Sequence, residues 1–211
     1  MTPRSHSVCT ALALALLAAG CADLNIPDFN NPSIGDLQNN PTRAGVVTAT
    51  QGLFVGARAN IATFNGDISV LGVFGRESDN FNSGDTRFIN ELLQPGPLDG
   101  SSPRFGGNLW AERYANIRNA GIVLNALAKL GTTPPVGMTS TEKAATRGFV
   151  KTMEALDFLL VIDTRDSLGA PVDVNHDITS GPAPFVKRDS VYAFIVGLLD
   201  SAVADLAVGG S

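Results

Sequence analysis

The chain has 211 residues, a formal net charge of −5 and 44% hydrophobic residues. This length and composition are typical of a globular protein that buries a core without disulfides or bound metal. An acidic chain without a cluster of Lys or Arg repels phosphate, so we exclude nucleic acid as a partner. Both cysteines, Cys9 and Cys21, lie near the N-terminus. The predicted folded body therefore has no thiol for disulfide or metal chemistry.

The first twenty residues have the pattern of an export signal. Arg4 supplies positive charge, and residues 8–19 form an almost entirely small or apolar run that is too short to span a bilayer core of ~30 Å. The run ends in Leu17-Ala18-Ala19-Gly20-Cys21, which resembles the lipobox of bacterial lipoproteins. We predict a signal peptide over 1–20 and acyl chains on Cys21 that hold the protein to a membrane. An ordinary secretory signal with an accidental cysteine is the alternative.

Residues 21–40 are predicted to form a tether, because they are rich in Asn, Pro and Asp and show no sustained period. Asn40 followed by Pro41 is typical of a helix cap and a first helical position. Helical spacing of the side chains that follow predicts a first helix over about 41–60. The folded body is expected to span 41–211.

The middle of the chain is predicted to contain a long loop. Segment 61–75 is ambiguous, since its apolar residues fit either a short helix or a buried strand. Residues 76–107 carry repeated Gly, Pro, Asn, Asp and Ser, which predicts a long structured loop. Loops of that length are often functional.

Three more helices are predicted in the remainder. A second helix spans about 108–130, and the capping box Thr139-x-x-Glu142 opens a third. Asp189 or Ser190 is expected to cap a fourth. Helices arranged as antiparallel pairs predict an all-α fold, a tetratricopeptide-like helical repeat array with long loops. Because the chain stops directly after its last helix, the array looks truncated.

Several segments behind the lipobox resemble, in their order, the SusD/RagB family of outer-membrane nutrient-binding lipoproteins. They are Gln51-Gly52-Leu53-Phe54, Trp110-x-x-x-Tyr114-x-x-Ile117-x-x-Ala120, Val123-Leu124, Ala155-Leu156-Asp157-Phe158-Leu159, Gly169-Ala170-Pro171-Val172, and Arg188-Asp189-Ser190-Val191-Tyr192. The chain departs from the family at Lys151-Thr152, where Arg-Ala is usual, and in lacking Asp in the Gly169 turn.

The resemblance implies a location, a partner and a function. Family members are usually much longer, so this chain corresponds to their N-terminal, tetratricopeptide-like portion. The resemblance implies a lipoprotein on the outer face of the outer membrane. Such a protein binds glycans or other oligomeric nutrients and covers a SusC-like TonB-dependent transporter as its lid. The alternative is a helical-repeat scaffold lipoprotein that mediates protein–protein interaction without a small ligand.

Weak candidates for ligand contact lie in the long loop, where donors, acceptors and an aromatic face suit a sugar. They are Arg76, Glu77, Asp79, Asn80 and Phe81. The same residues are also compatible with a simple turn in which Phe81 is buried and no ligand is bound. Trp110 could also stack on a sugar, but its helical spacing with Tyr114 favours a core position.

No catalytic motif is present in the sequence. Asp173-x-Asn175-x-Asp177 has the opening spacing of a calcium loop but lacks its glycine and its final Glu. Acidic pairs such as Glu77 and Asp79 are expected to be solvated rather than to form a glycosidase couple. His176 is expected to be a solvated loop residue. We therefore predict no enzyme, no metal site and no cofactor.

Overall fold

The structure is a computed structural model and describes residues 33–79, 84, 89–90, 108–165, 167–176 and 178–210. These residues belong to one unit, 32–211. Their α-helices are α1 (Ile34–Asn39), α2 (Arg43–Arg58), α3 (Asp67–Phe74), α4 (Asn108–Lys129), α5 (Ser140–Asp163) and α6 (Arg188–Gly209). Extended pairing among the described residues is limited to one antiparallel bridge, between Ala170 and Val186. The predicted all-α class is confirmed.

Helix α1 lies in the segment that was predicted to be an irregular tether. The Ser33 hydroxyl caps it by accepting the Asp36 N–H at 3.0 Å, and Leu37 is buried. Six residues contain fewer than two helical turns, so no period was visible in the sequence.

Helix α2 begins later than predicted. Thr42 is its N-cap, with the hydroxyl Oγ1 accepting the Gly45 N–H at 3.1 Å. The prediction that Asn40 caps this helix is therefore wrong. The buried face consists of Val46, Leu53 and Ala57.

The ambiguous segment forms helix α3. It begins after Gly66, where the chain passes very close to itself. A Cβ at Gly66 would lie 1.6 Å from the Asn60 carbonyl oxygen. Only glycine fits this contact, so the tight turn that starts α3 depends on it.

Helices α4 and α5 match their predicted spans closely. The capping box of α5 is confirmed, since Thr139 Oγ1 accepts the Glu142 N–H at 3.2 Å and Glu142 accepts the Thr139 N–H at 2.8 Å. The predicted cap of α6 is wrong. Lys187 is the N-cap, without a side-chain hydrogen bond, and Asp189 falls in the first turn.

Helices α5 and α6 pack antiparallel. Asp205, near the end of α6, accepts hydrogen bonds from Arg147 Nε at 2.9 Å and Lys151 Nζ at 2.7 Å, in the first half of α5. At the other end, the Tyr192 hydroxyl donates to Asp163 Oδ1 at 3.2 Å. Gly148 lets the helices approach closely, since a Cβ there would lie 2.6 Å from Leu206 Cγ.

Two groups of buried side chains form the core. The first joins α1, α2, α4 and α5 around Val46, Leu53, Val123 and Val150. The second joins α4, α5, α6 and the loop between α5 and α6 around Ile117, Phe158, Ile162, Val191 and Ile195. Helices α4 and α5 both contribute to the two groups, so together they form the centre of the body.

The outer face of α6 is apolar and exposed. Val196, Leu199 and Val203 recur at spacings of three and four residues, and Val203 is 68% exposed. Among the described residues, α6 is the helix that is long and apolar enough to cross a membrane by length and composition. A core helix passes the same test, and the other face of α6 packs on α5.

Candidate functional site

The predicted ligand residues of the long loop are exposed where the structure describes them. Arg76, Glu77 and Asp79 follow α3, and Arg76 has a left-handed backbone with φ of +64°. None of the three lines the cavity described below. Asn80, Phe81 and Cys21, the predicted site of lipid attachment, lie outside the described residues.

A buried ion pair connects α4 to α5. Arg113 Nη1 lies 3.0 Å from Asp157 Oδ1, and each side chain is 1% exposed. Asn116 Nδ2 donates to the other carboxylate oxygen, Asp157 Oδ2, at 2.6 Å. One carboxylate thus receives hydrogen bonds from two side chains of α4, which fixes the register between the helices.

The same two α4 side chains satisfy carbonyls at the end of α2. Arg113 donates to the carbonyls of Ala57, at 2.8 Å, and Ala59. Asn116 donates to the Leu53 carbonyl at 3.1 Å. The last carbonyls of a helix have no partner within it, so the two Arg113 bonds satisfy carbonyls that α2 leaves unpaired, while Asn116 adds a bond to a carbonyl further inside α2. This cluster positions α4 against its two neighbours.

Burial shifts the acidity of carboxyls around this cluster. Burial raises the pKa of Asp157, against the opposing effects of the Asn116 hydrogen bond and the Arg113 charge. It raises the pKa of Asp67, which Arg113 also opposes. Glu154 has its pKa raised to about 7 by burial, partly offset by Lys151 and reinforced by Asp157. Sequence periodicity did not predict these charged residues on a buried face.

A cavity of about 570 Å³ opens between α4 and the loop that joins α5 to α6. Its helical wall consists of Trp110, Tyr114 and Arg118, which recur every four residues on one face of α4. The opposite wall consists of loop residues: Pro171, Asp173, Val174, His176, Gly181, Pro182 and Ala183. Most of the lining is apolar, with a few polar groups at its rim.

Short contacts hold the loop wall in place. The Tyr114 hydroxyl donates to the Pro171 carbonyl at 2.6 Å. Gly169, with φ of +69°, brings the chain so close to the Val186 carbonyl oxygen that a Cβ would lie 1.9 Å from it. The wall is therefore positioned by the helix that it faces.

Trp110 packs against neighbours and also borders the cavity. Its ring lies 4.5 Å from Tyr114 and stacks on Phe185 at 5.9 Å with an interplanar angle of 12°. The Arg165 guanidinium carbon lies 4.4 Å from the ring centroid. The sequence predicted a core position for Trp110. In the structure, Trp110 is partly buried and packs against the second core group.

His176 is not the solvated residue that the sequence predicted. Its Nδ1 lies 3.4 Å from Asp173 Oδ2. Its Nε2 is enclosed and has no hydrogen-bond partner among the residues that the structure describes. Sequence reasoning missed the cavity because its two walls are more than fifty residues apart in the chain. The spacing of Trp110, Tyr114 and Arg118 was the one available signal.

A second, more open cavity of about 640 Å³ lies between α2 and α5. Phe54, Val55 and Phe149 give it an apolar surface, and Phe54 is 48% exposed. Gln51 and Thr146 supply its polar atoms.

The described residues contain no group of three His, Cys, Asp or Glu side chains that could hold a metal ion. Comparisons with known proteins do not assign the chain to a family, because it matches no family model, no curated protein and no solved structure.

Proposed function

We propose that the chain is a surface lipoprotein of the SusD type, anchored to the outer membrane through Cys21 with its helical body facing the exterior. It binds glycans or other oligomeric nutrients and lids a SusC-like TonB-dependent transporter. It works without catalysis.

The observation that carries the proposal is the cavity beside Trp110. Its volume of about 570 Å³ falls within the range of roughly 300–1,000 Å³ typical of small-molecule sites. An aromatic wall and a few polar groups are the combination that sugar rings require, since their C–H faces stack and their hydroxyls hydrogen-bond.

The position of this cavity agrees with the sequence resemblance. Two of the segments that carry the resemblance, Trp110 to Ala120 and Gly169 to Val172, lie on opposite sides of the cavity. Helices α4, α5 and α6 pack as antiparallel neighbours, as in tetratricopeptide pairs. We propose that they belong to such an array.

Co-purification from the native host tests the transporter part of the proposal. Membranes are solubilised in mild detergent and the chain is captured through a C-terminal tag. We expect a large TonB-dependent barrel protein as a stoichiometric partner. Recovery of soluble proteins alone would contradict the proposal.

The alternative, a scaffold lipoprotein, is favoured by the exposed apolar face of α6. The row Val196, Leu199 and Val203 on α6 has the spacing that packs against another helix. Under this alternative, Val203→Glu removes the partner from the co-purified complex. Under the SusD-type proposal, ligand binding at Trp110 is unaffected by that change.

A further inference from the structure

We propose that the cavity beside Trp110 selects a uronic acid, a sugar ring that carries one carboxylate. This inference rests on the proposed nutrient-binding function and names its ligand class. It depends on where the charged and polar side chains lie around the cavity.

The described lining of this cavity includes one guanidinium group, although the chain as a whole has a net charge of −5. Arg118 belongs to the helical wall, is exposed, and has no ion pair with any residue in the described part of the chain. Arg165 is not among the described lining residues, and its guanidinium carbon lies 4.4 Å from the Trp110 ring centroid.

The opposing charge at the cavity is Asp173, on the loop wall. Its side chain is 55% exposed, and its carboxylate lies 3.4 Å from His176 Nδ1. Neither Asp173 nor another carboxylate in the described part of the chain forms an ion pair with Arg118. A free guanidinium binds a carboxylate with two parallel hydrogen bonds, which a neutral hydroxyl cannot reproduce.

His176 supplies the second polar contact. His176 belongs to the lining, and its side chain is 27% exposed. An imidazole can donate or accept a hydrogen bond, so its exposed part can bond to a ligand hydroxyl. A ring with one carboxylate near Arg118 and hydroxyls near His176 matches both positions, while its C–H face contacts the aromatic wall.

The fluorescence of Trp110, the single tryptophan of the chain, provides the measurement. The probes are methyl α-D-galactopyranosiduronic acid and its neutral counterpart, methyl α-D-galactopyranoside, which differ only in the carboxylate. We expect the acid to bind about tenfold more tightly at low ionic strength. The difference should shrink in about 1 M salt, where the screening length falls to roughly 3 Å.

Two variants assign the preference to Arg118. Arg118→Gln should reduce the acid to the affinity of the neutral glycoside and leave the neutral glycoside unchanged. Lys129→Gln removes the same charge from the far end of α4, eleven residues and about 16 Å away, and should retain the preference. Arg118 is exposed, so an unchanged unfolding midpoint verifies that the variant folds.

Equal affinity for the two glycosides, or a preference that survives Arg118→Gln, would overturn the inference but leave the proposed function intact. Absence of binding by both probes would also overturn the inference. The transporter co-purification involves neither probe, so failure of the proposed function is detected separately.

Discussion

The Arg113 guanidinium and the Asp157 carboxylate lie 3.0 Å apart while each side chain is 1% exposed. The pair lies where α4 crosses both α2 and α5, and Arg113 also bonds to the α2 carbonyls of Ala57 and Ala59. Charges removed from water are stable only while each keeps its partner. Replacement of either residue should therefore change the position of α4 and, with it, the aromatic wall of the cavity.

Asp157→Ala should destabilise the fold by about 3–5 kcal/mol, because it leaves Arg113 buried without a counter-charge. Urea denaturation followed by circular dichroism measures the change. Asp200→Ala is the matched control, since Asp200 is an exposed aspartate on α6, and it should change stability by less than about 0.5 kcal/mol. Equal effects of the two substitutions would show that the buried pair is not a structural element.

Glu154 should make the fold less stable as pH rises. Its pKa is about 7 in the folded state and 4.5 when unperturbed. Between these two pH values the folded state binds more protons than the unfolded chain, so the free energy of unfolding falls as pH increases. The loss is roughly 3 kcal/mol when complete.

Glu154→Gln should remove that part of the pH dependence and stabilise the chain above pH ~7. Glu142→Gln provides a control of opposite sign, because hydrogen bonds from Arg43 and Thr139 lower the pKa of Glu142. Its contribution to stability is present above the unperturbed pKa and lost as pH falls. Thermal unfolding between about pH 2 and about pH 9, a range that includes both carboxyl titrations, separates the two effects. A Glu154→Gln profile parallel to that of the unmodified chain would contradict the prediction.

The helices were predictable from sequence because periodicity and the Thr139 capping box are local signals. The buried faces of the helices were less predictable than the helices themselves. On α5, the apolar side chain of Leu156 is 37% exposed, while the charged side chains of Asp157 and Glu154 are buried. Burial of a charge depends on a partner from another helix, and no sequence window contains both Arg113 and Asp157. The cavity was missed for the same reason, since α4 supplies one wall and a distant loop the other.

Gly169→Ala should distort the loop wall of the cavity. The substitution meets two obstacles, a φ of +69° and a contact of 1.9 Å between the new Cβ and the Val186 carbonyl oxygen. Gly181→Ala is the matched control, because Gly181 has φ of +96° but open space around its Cβ position. Left-handed strain alone costs about 1–2 kcal/mol, so Gly169→Ala should cost more than Gly181→Ala and shift the Trp110 emission. Equal losses of stability with unchanged emission would mean that the close approach does not position the wall.

Cys21→Ser should abolish lipid attachment and release the protein from the membrane. The prediction follows from the proposed lipobox, in which the Cys21 thiol accepts the acyl-bearing group and several acyl chains give stable anchoring. Cys9→Ser is the matched control, because Cys9 lies within the proposed signal peptide and should leave both properties unchanged. Labelling of native-host cells with radioactive palmitate, followed by membrane fractionation, measures attachment and location together. Palmitate on the Cys21→Ser protein, or its continued retention in the outer membrane, would refute lipid anchoring at this residue.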